Sequence, residues 1–159
     1  MRMLNKWLNP YANWANFILR LFVGVIFCAH GVEKLFGVFQ GLGLSGTSKM
    51  LEQYGFVHGE TWATVLGLVE LLGGIALIAG LFTRYAALML SVVMAGAIVM
   101  VHMPNGFFLP NGVEFAFALL AANLTLLVGG AGALAVDEWL VRHGMFAVPE
   151  HEQARSQAA

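Results

Sequence analysis

Four long apolar runs dominate the chain, at residues 15–36, 61–82, 85–103 and 113–136. Each is close to the roughly 20 residues that a helix needs to cross a hydrocarbon layer about 30 Å thick. Backbone amides in lipid find no water, so every N–H and C=O must be satisfied within the segment, and each run predicts a helix. Only Thr83 and Arg84 separate the second run from the third, which predicts a tight antiparallel hairpin. The polar breaks define the rest. Residues 1–14 carry Arg2, Lys6, Trp7 and Trp14 and read as an interfacial segment, since Trp prefers the headgroup layer. The stretch 37–60 opens with Gly37, Gly41, Gly43 and Gly46 and then predicts a short helix over 47–54, with Thr47 or Ser48 as its N-cap. On that helix Met50, Leu51 and Tyr54 share a face that could lie over the bundle mouth. Residues 140–159 form a polar tail, and 149–159 read as disordered. No internal repeat is evident. The expected fold is all-α: an integral membrane, antiparallel four-helix bundle spanning 15–139.

Composition agrees with lipid as the solvent. The chain of 159 residues is 59% hydrophobic and 11% charged, against about 25% charged in a typical soluble domain. Its mean hydropathy is +0.76. A net charge of -1 offers no footprint for nucleic acid. The single cysteine, Cys28, permits no internal disulfide and no cysteine-based metal or iron–sulfur site from this chain alone, and it reads as packing. The first run exceeds the roughly 7–15 residues of a signal-peptide core, and no small-residue cleavage site follows it, so it is expected to stay.

An even number of spans places both ends of the chain on one side. That side holds Arg2, Lys6, Arg84, Arg142 and Arg155; the other holds Lys49, with Lys34 nearby. Cytoplasmic loops carry the excess of Lys and Arg, so both termini are expected in the cytoplasm.

Ionisable residues within spans are costly and need a partner or a role. His30, Glu33 and Lys34 are spaced i, i+3 and i+4, so they line one face near the outer end of the first helix. Glu70 lies about nine residues into the second helix, roughly 14 Å below its outer end. His102 closes the third helix on that side, and Glu114 opens the fourth. These six residues come from all four helices. They form either a structural polar network or a ligand, quinone or proton-handling pocket. Two His and three Glu could also ligate iron or zinc, but no Glu-x-x-His or His-x-x-x-His pair supports a metal site. Gly24 and Gly31, and Gly73 and Gly74, allow close helix approach. At the other end Arg20, Arg84 and Asp137 predict an interfacial salt bridge in which one of the arginines pairs with Asp137. Phe107, Phe108 and Leu109 could cap the pocket or dip into lipid, and dipping is the favoured reading.

The stretch from Arg20 through Gly24, Phe27, His30, Gly31, Lys34, Leu35 and Gly37 resembles the opening of the DoxX family. So does the stretch from Glu70 through Gly73, Gly74 and Gly80 to Thr83 and Arg84. His102, Gly106-Phe107-Phe108, Glu114 and the Gly-x-Gly pattern before Asp137 also fit. The resemblance covers about residues 15–139. It implies a small four-helix protein of the bacterial inner membrane. Family members are associated with thiosulfate:quinone oxidoreductase or terminal quinol oxidase complexes, or lie near catabolic and redox-stress genes. The family's polar motif residues correspond to Arg20, His30, Lys34, Glu70, Arg84, His102 and Glu114.

Three functions are open at this level. A redox-associated subunit would hold a quinone headgroup among His30, Glu70, His102 and Glu114, where a His or protonated Glu could donate to a carbonyl. Its electrons would need a redox partner protein, because the chain has no dithiol, iron–sulfur or flavin motif. A haem on His30 or His102 is a lesser alternative. A non-catalytic scaffold or assembly factor would instead use the glycine-rich faces and the short outer helix. A small transporter would need a homo-oligomer to form a pathway.

Overall fold

A computed structural model of the chain describes residues 11–143. The anchor residues Arg2, Lys6 and Trp7, the tail 149–159 and Arg155 lie outside them. Among the described residues the protein is all-helical. Helix α1 spans Ala12–Phe36. It ends where Gly37 turns left-handed, at φ 68, and returns its N–H to Glu33 O. Lys34 in the last turn suits the negative end of the helix dipole.

Helix α2 covers Gly43–Gln53, starting four residues before the expected 47. Thr47 and Ser48 therefore sit buried within it and are not its caps. The glycines before Thr47 did not prevent the helix, because its inner face packs on the long helices and that contact outweighs their weak propensity.

Helix α3 spans Gly59–Ala79 and helix α4 spans Thr83–Ala97. Between them Gly80, at φ 67, makes the tight turn. A Cβ at Gly80 would come within 2.9 Å of both Ala135 and the Arg20 guanidinium, so only glycine fits there. Beyond Ala97 the helix widens into a π turn over Ile98–His102 and then tightens into a 3-10 turn over Met103–Asn105.

Helix α5, Glu114–Gly129, is shorter than the expected 113–136. At Gly130 the backbone leaves helical geometry, with φ 78 and ψ -165. A short helix α6, Val136–Arg142, follows the break. Hydropathy alone cannot tell an apolar helix from an apolar loop. What permits the loop is Arg20, which donates to the carbonyls of Ala131, Ala133 and Leu134. Irregular backbone in an apolar setting is tolerated where the protein satisfies it.

Three helical stretches are long and apolar enough to cross a membrane: Asn13–Phe36, Gly59–Ala79 and Thr83–Asn105. Helix α5, with 16 residues, is a shorter apolar helix of roughly 24 Å. Helices α1 and α3 pack along each other, α4 packs on α5 and on α3, and α2 lies across α3 and α1. The α1–α3 seam is made by glycine. A Cβ at Gly24 would meet Gly74 O at 2.7 Å, and one at Gly31 would meet Gly67 O at 2.8 Å. As the contact position rises on α1 it falls on α3, so the two helices run antiparallel. Cys28 packs into the same seam, its Sγ 3.7 Å from Leu71 O. Phe27, Leu77, Leu90 and Leu126 fill the centre and are fully buried.

Candidate functional site

The end of the bundle that carries α2 holds a cavity of about 600 Å³. Small-molecule sites commonly measure about 300–1,000 Å³. Its walls are mostly apolar, built by Phe27, Leu66, Met94, Met100, Phe115 and Leu119. Thr47, Met50, Leu51 and Tyr54 of α2 line it as well, so the short helix covers the bundle mouth. The polar side carries His30, Glu33, Lys34, Glu70 and His102. Five of the six residues expected at this end therefore share one cavity.

Glu70 is the deepest of them, 3% exposed. Lys34 Nζ stands 2.8 Å from its Oε2. At that distance the ammonium and the carboxylate form a close ion pair. Pairing with a cation is how a carboxylate is kept in such a place. Lys34 reaches it from the neighbouring helix because the glycine seam brings α1 and α3 together. One turn earlier, His30 Nδ1 lies 3.2 Å from Glu33 Oε2, and the His30 ring lies 6.4 Å from Phe115. Behind Glu33 sits Gly41, where a Cβ would collide with the Glu33 side chain. On α4 the π turn ends at His102, whose Nδ1 lies 3.0 Å from the Asn111 carbonyl oxygen. π turns recur at functional sites, and this one runs along the cavity wall through Met100, Val101 and His102.

Glu114 is not part of the cavity lining. Its Oε1 accepts the Leu109 N–H at 2.7 Å and so holds the loop before α5. Its neighbour Phe115 lines the cavity in its place. Successive helical residues point about 100° apart, so entering the helix one residue differently changes which side chain faces inward. Trp62 and the π turn were also not anticipated. No sequence pattern marks a π turn, and nothing in the sequence singles out Trp62. Phe107, Phe108 and Leu109 are all exposed, and Leu109 also lines the cavity. Among the described residues no group of three or more His, Cys, Asp or Glu could hold a metal ion.

The opposite end differs from the expected salt bridge. Arg20 is fully buried, and its guanidinium donates to the carbonyls of Leu77 and Ile78 at the end of α3 as well as to the loop after α5. The end of a helix leaves carbonyls without partners, and Arg20 supplies them. Asp137 instead accepts the N–H groups of Phe82 at 2.8 Å and Thr83 at 3.2 Å, which caps the start of α4. Neither Arg20 nor Arg84 closes an ion pair with Asp137. Asp137 begins α6 and does not end the fourth long helix, and this places its carboxylate beneath the Phe82–Thr83 amides. These groups tie helix ends together.

Three relatives carry similar sequences. An uncharacterised protein of Haemophilus influenzae is 37% identical, over 82% of this chain and 93% of that protein. CatD of Bacillus subtilis, whose name marks it as an unproven oxidoreductase, is 30% identical over 79% of this chain and 86% of its own length. An uncharacterised membrane protein of Mycobacterium tuberculosis is 33% identical over 70% of this chain and 68% of its own. No solved structure matches the chain. The DoxX family model matches residues 15–103. That span includes Arg20, His30, Lys34, Glu70, Arg84 and His102 and leaves Glu114 and Asp137 outside. On the family match and these relatives together, the chain belongs to the DoxX family.

Proposed function

We propose that this protein is a redox-associated membrane subunit that holds a quinone-class ligand in the cavity beneath α2. The observation that carries the reading is the cavity itself: about 600 Å³, apolar on most sides, with His30, the Lys34–Glu70 pair and His102 gathered along one of them. An apolar pocket with a few polar groups suits a flat ring bearing a lipid-soluble tail. The Lys34 ammonium is a hydrogen-bond donor for a ring oxygen, and the His rings are groups through which a proton can pass. The oxidoreductase name of the Bacillus relative points the same way. The chain carries one cysteine, so electrons would come through a partner protein. We place all four long helices across the bacterial inner membrane, with both termini in the cytoplasm and the cavity toward the outer face. The shorter α5 is accommodated by local thinning of the bilayer.

The test is thermal unfolding of the purified protein in detergent, with and without ubiquinone or menaquinone analogues. Binding to the folded state at 100 times Kd adds about 2.7 kcal/mol, enough for a rise of several degrees in the melting temperature. No shift with either quinone, and no quinone extracted with the protein, contradicts the reading. A second reading, a non-catalytic scaffold, draws on the exposed apolar side chains at the same end, among them Phe36, Phe39 and Val57. A stoichiometric protein partner, retained when quinone binding is absent, would favour it.

A further inference from the structure

The end of the bundle away from α2 carries an open cleft of about 660 Å³. Arg84 lines it from the start of α4, Gly130 from the loop after α5, and Asp137 from α6. The Arg84 guanidinium lies along that loop: Nε and Nη2 each stand 3.6 Å from the place a Gly130 Cβ would take. Among the described residues Arg84 makes no hydrogen bond and no ion pair. It is the second residue of α4, where the positive end of the helix dipole disfavours a cation. Thr83 beside it is 1% exposed and lines the same cleft, and its Oγ1 has no partner either. A guanidinium fork and a hydroxyl thus stand together as donors without an acceptor, and the fork matches the oxygens of a phosphate. The cleft is not simply basic. Asp137 brings a negative charge that survives its bonds to the Phe82 and Thr83 amides, and Glu138 lines the cleft as well. Arg84 pairs with neither carboxylate, so both signs of charge are present and unmatched by each other.

The surroundings are those of a membrane–water boundary. Trp14, Tyr85 and Trp139 are exposed at this end, where the loop after α5 is tied to Asn13 through the Ala133 N–H. Trp and Tyr gather at the level of lipid headgroups. We propose that this cleft binds the headgroup of a phosphatidylethanolamine. Its phosphodiester lies on the Arg84 guanidinium and the Thr83 hydroxyl, and its ammonium lies against Asp137. A primary ammonium brings N–H donors up to a carboxylate, and the methyl groups of a choline headgroup prevent that approach. A glycerol headgroup satisfies Arg84 but sets no positive charge against the carboxylate. The site depends neither on the ligand of the cavity under α2 nor on which face of the membrane this end meets.

The test is native mass spectrometry of the full chain in detergent. Dioleoyl phosphatidylethanolamine, phosphatidylcholine and phosphatidylglycerol are titrated separately, and soluble phosphoethanolamine is added as a competitor. The ethanolamine lipid should bind about tenfold more tightly than either of the others. Arg84→Gln should lower that affinity about tenfold, while Lys49→Gln, exposed on α2 at the other end, should leave it unchanged. Equal affinity for the three lipids would mean an unselective lipid shell and overturns the proposal. Tighter binding of the glycerol lipid would mean a plain anion site and overturns it too. So does unchanged ethanolamine-lipid affinity in Arg84→Gln, which puts the headgroup elsewhere. Phosphoethanolamine that competes as well as the whole lipid would assign the cleft to a soluble ligand and overturn the lipid assignment. The comparison of lipids on the wild-type chain stands even if the Arg84 variant fails to fold.

Discussion

Lys34 and Glu70 show how far residue-level reasoning reaches. Spacing puts His30, Glu33 and Lys34 on one face, and depth marks Glu70 as needing a partner or a role. The structure supplies a cation at 2.8 Å. What spacing could not show is that the face divides, with His30 held by Glu33 and Lys34 crossing to α3. Nor could it show that Glu114 turns to the Leu109 amide, because loop geometry decides which way the first residue of a helix points. The pair makes a thermodynamic prediction. Lys34→Met should strand a carboxylate that is 3% exposed and cost about 3–5 kcal/mol. Adding Glu70→Leu should recover most of that loss, because a buried pair replaced by apolar side chains is often nearly neutral. Melting of the two single variants and the double variant in one detergent gives the coupling. Additive losses would show that the two side chains do not act as a pair.

At the scale of elements, the runs of apolar residues located the long helices, and the α1–α3 seam was half legible. Gly24, Gly31 and Gly74 were anticipated at an interface. Gly67 was not singled out, and Gly73 faces the Leu90 side chain and not α1. Seven-residue spacing on both helices marks the seam once the partner is known, and one sequence does not name the partner. The seam predicts a contrast between two substitutions of the same chemistry. Gly31→Ala would drive a Cβ against the Gly67–Leu71 backbone, and it should cost at least about 1–3 kcal/mol. Gly96→Ala meets nothing within 4 Å and replaces a poor helix former, so it should be neutral or stabilising by up to about 1 kcal/mol. Thermal melts of both variants decide this. Equal effects would mean that the close backbone approach does not exist. The end of α5 was beyond reach for a different reason. The loop after Gly129 is as apolar as a helix, and the Arg20 guanidinium that satisfies it lies more than 100 residues earlier in the chain.

At the scale of the whole molecule, the two ends of the bundle do different work. At one end Arg20 and Asp137 are consumed by backbone groups, and this fixes the turns between α3 and α4 and after α5. At the other end the polar side chains keep unused hydrogen-bonding capacity around an apolar space, under a short helix that lies across the mouth. Partition of charge between the ends was legible from depth along each run. The cavity was not, because its volume depends on how α2 and the π turn of α4 stand off from the helices beneath them. The central claim is that this space holds a quinone-class ring. Its most direct test is photolabelling of the protein in lipid nanodiscs with an azido-quinone, followed by mass spectrometry of the adducts. Adducts are expected on cavity residues around His30, Trp62 and Met100, displaced by excess unlabelled quinone. Adducts confined to outward-facing residues such as Phe22, Leu72 and Val128, with no displacement, would contradict it.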